Sequence, residues 1–109
     1  MNDPVLGFLG LCRRAGRLSL GHDECKPSIN SGRARVCIVA SDTSERLKEE
    51  MRGLSERRDV PFFAVDYTMD TLRTAVGRRT AVITADDENL ALPLIKKLND
   101  NRSGEERDL

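Results

Sequence analysis

The stretch Arg35-Val-Cys-Ile-Val-Ala40 is followed almost at once by Asp42-Thr-Ser-Glu45. The first is a near-continuous apolar run of strand length. Without polar alternation it reads as a strand covered on both faces, the pattern that parallel sheets favour. The second has the spacing of a capping box, in which the first residue and a glutamate three positions on satisfy orphan amides at a helix start. Leu47, Met51 and Leu54 then recur at helical spacing among charged residues. A doubly covered strand that feeds an amphipathic helix implies a sheet held between helical layers.

The same alternation continues toward the C-terminus. Val60-Pro-Phe-Phe-Ala-Val65 reads as a second buried strand, with Pro61 near its start, where a missing donor costs least. Thr68 suits the cap of a short helix that turns Met69, Leu72 and Val76 inward and stops at Gly77. Thr80-Ala-Val-Ile-Thr84 is a further strand, and Asp86 or Asp87 opens a last helix with Leu90, Leu94, Ile95 and Leu98 on one side. Toward the N-terminus, Leu18 to Leu20 is a short extended piece. Before it, Asp3 and Pro4 start a helix whose apolar face is Val5, Leu6, Phe8, Leu9 and Cys12, with Gly16 past its end. Between Gly21 and Gly32 Pro27 leaves two options open. A helix starts near His22 and carries the proline in its second turn, or it starts later and residues 21–26 form a loop. These elements predict an α/β fold, a three-layer α/β/α sandwich on a mixed four-stranded sheet, over residues 1–98. Residues 99–109 have no apolar face and are expected to form a flexible tail.

At 109 residues the chain suffices for one domain. Eighteen basic residues balance eighteen acidic ones, so net charge gives no sign of a nucleic-acid partner. Cys12, Cys25 and Cys37 lack C-x-x-C spacing and read as buried thiols of a reducing compartment. A helix start beside Cys25 and Lys26 would lower that thiol's pKa, but an inert thiol is the favoured reading there. His22 is the sole histidine, which excludes a two-histidine metal site and leaves a general base without a positioned partner. No glycine-rich nucleotide loop accompanies Asp42, Asp66 or Asp86 at the strand ends, and Asp86-Asp87-Glu88 reads as helix capping. Neither a secretory start nor an apolar run of membrane-spanning length is present. The expectation is a non-catalytic cytoplasmic protein with no metal, no cofactor and no membrane partner.

Charge is nevertheless unevenly placed. Between residues 12 and 35 stand Arg13, Arg14, Arg17, Lys26, Arg33 and Arg35 against only Asp23 and Glu24, and Arg78 and Arg79 follow Gly77. A basic end attracts phosphates even on a neutral protein. The aromatics exclude one mode of RNA recognition. Phe8 belongs to a helix core, and Phe62 and Phe63 point to opposite faces of a strand, so only Tyr67 remains and no stacking platform can form.

In order, LGLCRRAGRLSLG (residues 9–21), SGRARVCIVASDTSERLKEEM (31–51), VPFF (60–63) and LRTAVGRR (72–79) resemble the ribosomal protein L7Ae/L30e family, most nearly its short bacterial YlxQ-type members, over residues 4–98. The resemblance implies an α/β/α sandwich and binding of kink-turn RNA, a bent duplex with sheared G·A pairs. The family's RNA motif is G-x-N-E-x-x-K at the start of the second helix. Here Gly21 and Glu24 match, Asp23 stands in place of asparagine, and Pro27 in place of lysine, with Lys26 one residue early. Asp42 with Ala40 matches the A-x-D element. Arg78, Arg79 and Thr80 occupy the second RNA-facing loop. By resemblance and charge, the RNA-facing residues are Arg13, Arg14, Arg17, Gly21, His22, Asp23, Glu24, Lys26, Arg78, Arg79 and Thr80.

Two functions stand. The first is an RNA-binding protein of the translation or ribosome-associated machinery, with structured RNA such as ribosomal RNA as partner and ribosomal or other translation proteins beside it. It would use phosphate neutralisation and a guanine-edge bond to Glu24. The second is a protein-interaction module that keeps the fold and has lost RNA binding. Their separation turns on whether residues 21–26 and 77–80 meet in one rim, with the helix starting before Pro27.

Overall fold

The computed structural model describes residues 3–107, with side chains as far as Asn101. Its elements are α1 (Pro4–Arg14), β1 (Leu18–Leu20), α2 (His22–Asn30), β2 (Val36–Val39), α3 (Glu45–Arg57), β3 (Phe62–Ala64), α4 (Met69–Val76), β4 (Val82–Ala85) and α5 (Glu88–Arg107). The sheet runs β1-β4-β2-β3. β4 is antiparallel to both neighbours, and β2 and β3 are parallel. The register sets Cys37 opposite Thr84 on one side and Phe62 on the other.

β2 is buried throughout, as its apolar run requires. Val36 and Ile38 join the core formed with α1, α4 and α5, which includes Leu9, Leu72, Ile83 and Leu94. Cys37 and Val39 turn to the opposite side and pack with Ile29, Met51 and Val82 under α2 and α3. This period-two alternation, with apolar residues on both faces, produces the three layers.

Local signals mark several helix ends. Asp3 accepts from the amides of Val5 and Leu6 at 2.9 and 3.0 Å, with Pro4 at the first helical position. Thr68 caps α4 through Thr71, and Gly77 ends it in the left-handed region. α2 starts at His22 and carries Pro27 inside, which settles the open choice in favour of the early start.

One expectation is corrected. Asp42 does not cap α3. Ser44 does so, accepting from Leu47 at 3.2 Å, while Asp42 accepts from the Met69 amide, the first of α4, at 2.9 Å. The parallel β2–β3 pair brings the start of α4 beside the end of β2, and the carboxylate serves that helix. The helix α5 runs on through residues 99–107. Residues 108 and 109 lie outside the described residues.

Candidate nucleic-acid interface

Gly21 joins β1 to α2 with φ 88° and ψ 162°, a conformation essentially confined to glycine. Its N–H donates to Val82 O at 2.9 Å, and its carbonyl accepts from Cys25 N. No side chain caps the helix. The first-turn amides of α2 therefore face outward with the positive end of the helix dipole.

The loop between α4 and β4 closes on this point. Arg78 Nη2 donates to Leu20 O at 2.6 Å and lies 3.5 Å from Glu24 Oε2. It also lies 3.4 Å from where a β-carbon on Gly21 would sit. Glu24 Oε1 accepts from the Leu20 amide at 3.0 Å. That bond, with the charges of Arg78 and Arg13, holds the Glu24 carboxyl below its ordinary range. Gly21, Glu24 and Arg78 thus form one rim, with Arg13 acting on it from the end of α1.

The other expected residues divide. Asp23 has a fully exposed side chain, 3.9 Å from the His22 ring. His22 Nε2 lies 2.8 Å from Glu50 on α3, and Lys26 Nζ lies 3.6 Å from the same carboxylate. One turn of helix separates the two bases, so both face α3. This pairing, His22 first, lowers the Glu50 pKa. Arg79 is exposed and pairs with Asp70 at 3.1 Å. Arg14 lies beside Gly10, where α1 meets the Ala75 carbonyl of α4. The rim is a mixed surface, in which Arg13, Arg78 and Arg79 stand among Asp23, Glu24 and Asp70.

Two expected contacts belong elsewhere. Thr80 is buried, and its hydroxyl donates to Val82 O at 2.7 Å, so it supports the loop from inside. Arg17 sits at the opposite end of β1. Its carbonyl accepts from Asp86 N, and its Nε is 3.5 Å from Asp87. A three-residue strand puts about 10 Å between that end and Gly21.

Asp86 takes a role that sequence reading missed. Asp87, not Asp86, caps α5 by accepting from Asn89 at 2.8 Å. Asp86 accepts from the hydroxyls of Ser19 at 2.6 Å, Ser28 at 2.8 Å and Thr84 at 2.9 Å. Ser28 and Thr84 are fully buried. One carboxylate thereby ties α2 to β1 and β4 and sets the angle at which the helix start meets the loop. The sequence signal was the presence of Ser19 and Thr84 at strand positions.

The cysteines are buried and free. Cys25 donates to Ser19 O at 3.3 Å, and burial pushes its thiol up to about 12. Burial also raises Cys37 to about 11 and Cys12 upward. The inert thiol that the sequence favours at Cys25 agrees with this burial, since desolvation outweighs the helix start. Among the described residues, no group of three or more His, Cys, Asp or Glu side chains is placed to hold a metal ion. No helix among them is long and apolar enough to cross a membrane.

Residues 5–91 match the profile of the ribosomal protein L7Ae/L30e/S12e/Gadd45 family. The RNA-binding protein YlxQ of Enterococcus faecium is 27% identical over 87 residues, covering 80% of this chain and 84% of its own. A solved structure of a protein of unknown function from Bacillus halodurans superposes with a TM-score of 0.86 at 22% identity, covering 90% of this chain and 99% of that one. The Giardia lamblia 15.5kD RNA binding protein gives 0.73 at 17% identity, over 94% of this chain and 92% of its own. At these identities the two structures speak for the fold.

Proposed function

We propose that this chain, which belongs to the ribosomal protein L7Ae/L30e/S12e/Gadd45 family, is a non-catalytic RNA-binding protein that takes a bent, structured RNA on the rim of Gly21, Glu24 and Arg78. One observation carries the reading. Arg78, from the loop before β4, is hydrogen-bonded across to Leu20 at the base of the uncapped α2 helix. Two segments distant in sequence are joined into one surface with outward amides, a guanidinium and a carboxylate acceptor. Exposed amides and Arg78 suit the phosphates of a kink, and Glu24 Oε2 suits a guanine amino group. Arg13 and Arg79 extend the phosphate contacts.

A kink-turn RNA, ribosomal RNA among the candidates, is the substrate class, and the cytoplasmic translation machinery is the setting. His22 and Lys26 stand beside the rim and contribute once Glu50 releases them. Asp23 and Pro27 weaken the motif relative to the family pattern, so affinity is modest.

The test is a titration of the protein with a kink-turn RNA and a straight duplex of equal length, at two salt concentrations. Preference for the bent RNA at both, reduced about tenfold by Arg78→Ala, supports the reading. Equal binding that vanishes steeply with salt leaves only unspecific attraction. No binding to either RNA leaves the protein-interaction reading in its place.

A further inference from the structure

β3 is an edge strand, and its outer side is open. Cys37 N bonds Pro61 O and Val65 N bonds Val39 O, so alternate residues of this strand face β2. In a parallel pair the residues between turn the other way. The N–H and C=O of Phe62 and Ala64 therefore point outward, without a hydrogen-bond partner among the described residues. Ala64 is exposed and Phe62 half-buried. An open row of backbone groups is a template for another strand.

What flanks this edge decides the kind of strand it fits. On the α5 side, a notch of about 520 Å³ is lined by Asp3, Phe63, Asp66, Tyr67, Leu98 and Asn101 together with the chain of residues 64 and 65. Its described lining has two carboxylates and no basic side chain. Asp3 is already engaged, accepting from Tyr67 Oη at 2.7 Å and from the α1 amides. Asp66 is exposed and has no ion pair or hydrogen bond to its side chain among the described residues. On the α3 side, Arg52 lies 5.0 Å from the centre of the Phe62 ring and 3.4 Å from Glu49. One face of an added strand meets a carboxylate without a partner among the described residues, and the other meets an arginine-covered aromatic.

We propose that the β3 edge receives an extended segment of a partner protein as a fifth strand, with a lysine or arginine of that segment seated beside Asp66 and an aliphatic residue over Phe62. Side chains of a strand alternate between faces, so the fitting pattern is basic and aliphatic in turn. Backbone bonds supply pairing, and Asp66 supplies selection for positive charge. This edge is separated from β1 by β2 and β4, so it does not depend on the RNA rim.

The test uses the labelled full chain and two capped hexapeptides, one alternating valine and lysine, the other valine and glutamate, followed by amide resonances. The expected result is that the lysine peptide shifts the amides of residues 62–67 and slows hydrogen exchange at Phe62 and Ala64, while the glutamate peptide does neither. Asp66→Lys weakens the lysine peptide at least about fivefold. Ala64→Pro removes an outward N–H, not one used by β2, and abolishes binding with the unfolding midpoint retained. Equal binding of both peptides, shifts confined elsewhere, or indifference to Asp66→Lys overturns the proposal. So does a concentration-dependent shift of these amides without peptide, which assigns the edge to a second copy, or their shift by RNA.

Discussion

The Nη2 atom of Arg78 sits 2.6 Å from the carbonyl oxygen of Leu20, across 58 residues of chain. The bond fixes the guanidinium over Gly21 and beside Glu24, and gives the loop before β4 a defined place at the start of α2. It is the reason that two segments, separate in sequence, form one surface.

Gly21→Ala is expected to cost about 1–3 kcal/mol, because φ 88° with ψ 162° excludes a β-carbon at low energy. The added methyl also approaches Arg78, so RNA affinity falls with stability. Urea unfolding measures the first effect and RNA titration the second. A neutral substitution in both would mean that the β1–α2 junction relaxes freely.

Asp23→Asn removes a fully exposed charge from the rim and supplies an amide donor. RNA affinity is expected to rise about threefold to tenfold, with the unfolding midpoint unchanged. Binding isotherms at fixed salt decide it.

Asp86→Asn leaves at most one acceptor oxygen for three hydroxyls, two of them fully buried. The expected loss is about 1–3 kcal/mol. Hydrogen exchange should open first in α2, since Ser28 loses its tie to the sheet. An effect confined to α5 would restore Asp86 to a plain capping role.

Glu24 has a pKa below its ordinary 4.5, chiefly through the Leu20 amide and then through Arg78. A depressed carboxyl contributes stability that is present above 4.5 and lost as pH falls through the lower folded value. Half-exposure keeps the contribution small. Glu24→Gln is therefore expected to flatten the acid side of the stability profile below about pH 5 and to leave the neutral side unchanged in slope. Thermal melts across that range give the slopes.

Much of the fold is readable before any coordinates. The apolar run at 36–39, the period of Leu47, Met51 and Leu54, and the end signals at Asp3, Pro4, Thr68 and Gly77 act within a turn or two of chain. The site was less legible. Gly21, Glu24, Arg78 and Arg79 sit in the two segments that meet, while Thr80 turns inward, Arg17 goes to the far end of β1, and Asp42 serves a helix other than the one it precedes.

Dihedral preference and hydrophobic periodicity are local properties, so the chain alone dictates which residues are helical, which are extended and which faces must be covered. Partner choice among charged and polar side chains is not local. Glu50 takes both His22 and Lys26, Asp70 takes Arg79, and Asp86 gathers three hydroxyls, because the sheet order β1-β4-β2-β3 brings them within bonding distance. Charge counted along the sequence becomes a surface only after packing has decided which charges cancel.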